Sequence, residues 1–179
     1  MANVMKELGQ KKEALDLYQQ TLAIYKSLYA GKDHADTART MMNMANVMRQ
    51  LGQNKQALEL YQQTLAIYES LYGRDHASTA MTMMGMANVM TQLGQKKQAL
   101  DLYQETLAIQ ESLYGRDHAD TANTMYSMAV TLYDLDRKEE SLGMLKEALS
   151  VYESVFGSEY EWAVQARDAI ADITEELGK

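Results

Sequence analysis

A segment of about 42 residues recurs along this 179-residue chain, and that repetition constrains its folding more than any other feature. Met1-Ala2-Asn3-Val4-Met5 returns as Met44-Ala45-Asn46-Val47-Met48 and again as Met86-Ala87-Asn88-Val89-Met90. Tyr18-Gln19-Gln20-Thr21-Leu22-Ala23-Ile24 returns from Tyr61 and, with one change, from Tyr103. Asp33-His34-Ala35 returns as Asp75-His76-Ala77 and Asp117-His118-Ala119. A period of this length marks a solenoid, in which each unit buries its apolar face only against its neighbours. The expected division is a truncated first repeat over 1–30, then repeats over 31–73, 74–115 and 116–157. A C-terminal capping helix over 158–179 completes the array.

Each unit reads as two helices. Met41, Met44, Ala45, Met48 and Leu51 fall at helical spacing and form one apolar stripe. Gly52 follows, suited to the left-handed position that ends a helix. Ala57, Leu58, Tyr61, Leu65, Tyr68 and Leu71 form a second stripe, which Gly73 ends. Asp33, Asp75 and Asp117 are expected to cap the helices that follow them. Asp136 stands where the other copies have glycine, a substitution that aspartate tolerates better than most residues. In the last helix, Ala163, Ala166, Ile170 and Leu177 are expected to face inward.

Composition excludes several classes of function. The chain has no cysteine, so disulfides, thiolate metal sites and cysteine nucleophiles are out. A net charge of -8 argues against a nucleic-acid partner, which needs a basic face. No apolar run approaches a membrane span, and the expected setting is cytoplasmic. His34, His76 and His118 would lie one stacking step apart, on the order of 10 Å. Shared coordination needs nitrogen–metal distances of ~2 Å, so they read as linker residues copied with the unit. No phosphate loop, HExxH pair or nucleophile elbow is present. The reading is of a non-enzyme without cofactor or metal.

The helix-A pattern Met44-Ala45…Met48 and the helix-B pattern Gly52…Ala57…Tyr61…Thr64-Leu65 resemble a tetratricopeptide repeat (TPR). The long unit with its Leu-Tyr-Gly-Arg-Asp-His linker is similar to the kinesin light chain and nephrocystin-like variety. Family linkers place proline after the histidine; here Ala35, Ala77 and Ala119 stand there, and the chain contains no proline at all. The resemblance implies an all-α, right-handed superhelix of antiparallel helix hairpins. It also implies a protein-interaction scaffold that binds a peptide or partner segment in a concave groove, as a cargo- or complex-assembly adaptor.

The family's inward-facing helix-A positions imply the groove residues. They are Asn3, Arg39, Met42, Asn43, Asn46 and Arg49, then Met84 and Asn88, then Tyr126 and Tyr133, then Asp172. Asn3, Asn46 and Asn88 would form a ladder of amides suited to the main chain of an extended peptide. Met42, Met81 and Met84 fall off the core stripe, and methionine suits adaptable surfaces. The groove is graded in charge. Lys6, Arg39 and Arg49 make one end basic, and Asp134, Asp168, Asp172 and Glu175 make the other acidic. A chaperone C-terminal carboxylate is disfavoured, because Met81 and Gly85 stand where basic residues would be needed.

An alternative is structural self-assembly. The first helix starts in mid-motif, as in a piece of a longer array. The Leu15, Tyr18 and Leu22 stripe is then expected to be uncovered, offering an N-terminal end through which a homodimer forms, head to head or by helix swapping.

Overall fold

A computed structural model describes residues 10–178 of the chain. It divides into two compact units, one ending at Gly94 and the other beginning at Gln95. The first contains α1 (Lys11–Leu28), α2 (Ala35–Gln50), α3 (Asn54–Tyr72) and α4 (Ala77–Gln92). The second contains α5 (Lys96–Tyr114), α6 (Ala119–Tyr133), α7 (Lys138–Phe156) and α8 (Glu161–Leu177). Among the described residues there is no strand. Within each unit every helix packs on the next in sequence. Connections this short leave consecutive helices antiparallel.

The turns explain where each helix stops. Gly52 has φ 75°, and the amides of Gly52 and Gln53 donate to Arg49 O and Met48 O at 3.0 and 2.9 Å. This pair of crossed bonds satisfies the last free carbonyls of α2. Asp136 makes the same turn after α6 without being glycine. Its φ is 59°, and Asp136 and Arg137 donate to Tyr133 O and Leu132 O at 2.9 and 3.0 Å.

The helix starts differ from the expectation. Histidines, not the aspartates Asp33, Asp75 and Asp117, are the caps. His34 Nδ1 accepts from the Asp36 amide at 3.2 Å, His76 Nδ1 from Ser78 at 3.1 Å, and His118 Nδ1 from Asp120 at 3.1 Å. Each histidine is the last extended residue before its helix, which puts the aspartate one position too early to reach the free amides. The preceding tyrosine supports the imidazole. The Tyr29–His34, Tyr72–His76 and Tyr114–His118 ring centroids are 3.6, 4.3 and 4.6 Å apart. An accepting Nδ1 leaves the ring proton on Nε2. Replacing His76 by alanine should cost about 1 kcal/mol, as loss of a capping acceptor does, and His76→Asp should recover most of it. Urea unfolding of the two variants checks this, and an alanine variant as stable as the parent would refute the cap.

Small residues let the helices approach closely. Ala14, Ala38, Ala45, Ala57, Ala80 and Ala87 are fully or almost fully buried in unit 1, as are Ala99, Ala122, Ala129 and Ala148 in unit 2. Around them, Tyr18 packs with Met44 and Val47, and Tyr61 packs with Ala45 and Val89. In unit 2, Met125 packs with Val151 and Tyr152, and Ala129 with Leu145, Ala166 and Ile173. Ala99 has no exposed surface, so Ala99→Leu should overpack and cost about 1–3 kcal/mol. A thermal melt of that variant matching the parent would refute this register.

Two expectations about the ends need correction. Tyr18 is not an open stripe residue; it is buried against α2, and Leu15 and Leu22 pack against the same cluster. The large apolar residues of α1 that stay exposed are Ile24 and Leu28. In α8, Ala163 and Ala166 are buried as expected, but Leu177 is exposed and Ile173 is the buried residue. Leu177 is the last helical residue, one turn beyond Ile173, with which the cluster ends.

Candidate peptide-binding face

In unit 1 the predicted positions lie on α2 and α4. Asn3 and Lys6 lie outside the described residues. Arg39 is exposed, and its guanidinium is 2.5 Å from Asp36 Oδ1, three residues earlier on the same helix. The Tyr29 hydroxyl donates to the other Asp36 oxygen at 3.1 Å. The Arg39 charge is therefore answered locally, and the expected basic end narrows among the described residues to Arg49.

Arg49 is half-buried and forms no ion pair with any described residue. It lies beside the Tyr61 hydroxyl, which donates to Asn46 Oδ1 at 2.7 Å. The Arg49 Nε is buried without an acceptor. Burial pushes the Tyr61 phenol up to about 12, with the Arg49 charge pulling partly back. The amide oxygen of Asn46 is thus committed inward, which leaves its N–H2 group as the outward donor. The ladder expected to present both donor and acceptor presents mainly the donor at this rung.

The neighbouring positions are softer. Met42 is half-buried, and its sulfur lies 3.7 Å from the Thr82 hydroxyl, which donates to Ser78 O at 2.7 Å; the contact joins α2 to α4. Asn43, Met84 and Asn88 are half-buried, while Met81 is exposed. Gly85 lies opposite the Tyr61 ring. A Cβ at Gly85 would come 2.7 Å from Tyr61 Cε1, so α4 passes the ring as closely as it does only because that side chain is absent.

In unit 2 the predicted positions lie on α6 and α8. Tyr126 is half-buried, with its ring edge-on to Trp162 at 5.3 Å and tilted against Tyr152 at 6.5 Å. The Tyr152 hydroxyl donates to Asn123 Oδ1 at 2.9 Å, repeating the tyrosine–asparagine bond of unit 1 in another register. Tyr133 is exposed and donates to Glu176 Oε1 at 2.9 Å. That bond and the Glu176 charge hold its phenol above the ordinary value. Asp134 is 3.1 Å from Lys96 Nζ, so this member of the acidic end is paired. Asp168 and Asp172 are exposed.

Sequence spacing alone did not reveal Tyr61 beside the predicted positions of unit 1, or Trp162 beside those of unit 2. Tyr61 was legible only as a core residue, although its spacing from Asn46 recurs as Tyr103 from Asn88. Trp162 lies in the diverged last copy, where no earlier repeat has an aromatic residue at that position.

The chain matches the family model described as tetratricopeptide repeat over residues 1–70, 36–112 and 78–154. No curated protein matches its sequence. Among solved structures, it is similar to the nearly identical TPR-like repeats of a Podosopora anserina protein described as a kinesin light chain. One crystal structure of that protein gives a TM-score of 0.81 at 21% identity, covering 99% of this chain and 83% of that one. BtubC (BKLC) from P. vanneervenii gives 0.84 at 18% identity, covering 99% and 70%. A Rap protein complexed with Competence and Sporulation Factor gives 0.79 at 20% identity, covering 99% of this chain and 47% of that one. These likenesses show a common all-α repeat fold, and with the family match spanning most of the sequence, the chain belongs to the tetratricopeptide repeat family.

Proposed function

We propose that this array is a protein–protein interaction scaffold rather than an enzyme, and that it holds an extended partner segment on its helix-A face. The observation that carries this is the Arg49, Tyr61 and Asn46 group: a half-buried cation without a carboxylate partner among the described residues, beside an amide whose oxygen is already taken by the Tyr61 hydroxyl. An acidic side chain of the partner would answer Arg49, and its backbone carbonyl would accept from Asn46. The half-buried Met42 and Met84 supply adaptable apolar contact. The solved Rap protein carries a bound factor on a similar fold, which supports the reading. A role as a cargo- or complex-assembly adaptor is the wider form of this proposal.

Peptides selected from a display library on the immobilised chain test it. Binders should be enriched in acidic residues, weaken as salt rises, and lose at least tenfold in Kd, about 1.4 kcal/mol, on Arg49→Glu. Binders indifferent to that change would defeat the reading. The exposed Ile24 and Leu28 favour one second reading, self-association through α1. In that case Ile24→Lys with Leu28→Lys would change the sedimentation of the chain, and selection on the helix-A face would return no specific binder.

A further inference from the structure

Counted by the repeat, Asn46, Tyr61 and Gly85 of unit 1 correspond to Val130, Leu145 and Ala169 of unit 2. In unit 1 the Tyr61 ring occupies the space over Gly85. In unit 2 the tyrosine is a leucine, and its asparagine partner is a valine. A cavity of about 160 Å³ lies there, walled by Val130, Leu145, Ala169 and Ile173 and bordered by Tyr133, Ser141 and Asp172. An apolar cavity of roughly 150 Å³ is large enough to hold benzene, so this one has room for the stem of a long side chain.

The polar groups at this cavity are nearly all committed. The Ser141 hydroxyl donates to Ala129 O at 2.8 Å, and the Tyr133 hydroxyl donates to Glu176. Lys138, near the rim, lies 3.2 Å from Glu176 and 3.5 Å from Asp136, so its charge is shared by two carboxylates. Asp172 is the exception. It is exposed, lines the cavity, and forms no ion pair with a described residue. An apolar cavity with one uncommitted carboxylate at its edge selects a ligand with an apolar stem and a cationic end. A neutral aliphatic group would gain nothing from the carboxylate, and an acidic group would be repelled.

We propose that this cavity receives a lysine or arginine side chain of the partner segment. The stem lies against Val130, Leu145, Ala169 and Ile173, and the cation meets Asp172. This rests on the reading of the helix-A positions as binding positions, and it concerns those of unit 2 alone.

The test uses Nα-acetyl-lysine methylamide, its arginine counterpart and Nα-acetyl-norleucine methylamide as probes. Binding to the full chain is followed through the methyl NMR signals of Val130, Leu145 and Ile173. Both cationic probes should give saturable shifts, and norleucine should bind at least fivefold more weakly. Asp172→Asn should remove that preference. Leu145→Tyr with Ala169→Gly, which rebuilds the packing of unit 1, should abolish the shifts while Trp162 fluorescence keeps its folded spectrum. No saturable shift, or norleucine binding as well as lysine, would overturn the proposal, as would indifference to Asp172→Asn. A selected peptide that is lost with Arg49→Glu but unaffected by both cavity variants would leave the binding face standing and the cavity proposal refuted.

Discussion

Replacing Tyr61 by alanine should cost the chain about 3–5 kcal/mol, the range for deleting a large buried aromatic side chain. Tyr61 has no exposed surface, packs against Ala45, Ala57 and Val89, and holds Asn46 through its hydroxyl. The opposite partner gives the sharper test. Gly85→Ala improves helix propensity by about 1 kcal/mol, so a helix considered alone predicts a gain. The structure predicts a net loss of about 1–3 kcal/mol, because the new Cβ would lie 2.7–2.8 Å from a ring that is buried and cannot retreat. In a Tyr61→Leu background the same Gly85→Ala change should become neutral or favourable. Leu145 and Ala169 already show that combination two repeats later. A double-mutant cycle read by urea unfolding measures the coupling. Stabilisation by Gly85→Ala in the otherwise unchanged chain would mean that the ring does not sit on that helix.

The same residue sets a pH dependence. The Tyr61 phenol rises from an ordinary 10.0 to about 12 in the folded chain. Between those values the unfolded chain has lost this proton and the folded chain has kept it, so the stability contribution is intact below pH 10 and falls as pH climbs toward 12. Tyr61→Phe removes that loss. The stability gap between parent and variant should therefore shrink, or reverse, over this window.

Tyr152→Ala should have an effect of similar size in unit 2, about 3–5 kcal/mol. Tyr152 is fully buried among Ala122, Met125 and Val151. Its ring meets Tyr160 edge-on at 5.7 Å and supports Tyr126, which in turn meets Trp162. Burial raises its phenol well above the ordinary value, so it stays neutral at any physiological pH. Tyr152→Phe should cost only about 1 kcal/mol, because Asn123 is half-buried and can turn to water once it loses the hydroxyl. Trp162 is the sole tryptophan, so its fluorescence reports this unit directly. An unchanged unfolding midpoint for Tyr152→Ala would contradict the packing described.

Much of the fold could be read from residue spacing. Apolar stripes such as Met41, Met44 and Met48, and glycines at the turns, mark the helices, because each depends on local sequence that the repeat displays several times. The caps were harder. Asp75 and His76 are adjacent and both can accept a hydrogen bond. The choice between them depends on which residue is last in extended backbone and on the Tyr72 ring stacked behind the imidazole. The exposure of Leu177 depended on where the α6–α7–α8 packing runs out.

The face was legible in position but not in electrostatics. Arg39 and Arg49 look alike in the sequence, yet Asp36 answers one, while the other lies beside Tyr61. The cavity of unit 2 was invisible for the same reason. It arises from Leu145 and Ala169 jointly, a pair that only packing brings together.

The 14 methionines report directly on whether the helix-A positions hold a partner segment. In methyl NMR of the 13C-methionine-labelled chain, a selected acidic peptide should shift the signals of Met42 and Met84, which are half-buried, and of the exposed Met81. Met83 and Met125, which have no exposed surface, should hold their positions. Arg49→Glu should abolish the shifts. Saturable binding that leaves Met42, Met81 and Met84 unmoved would contradict the account, because the partner would then be held elsewhere on the molecule.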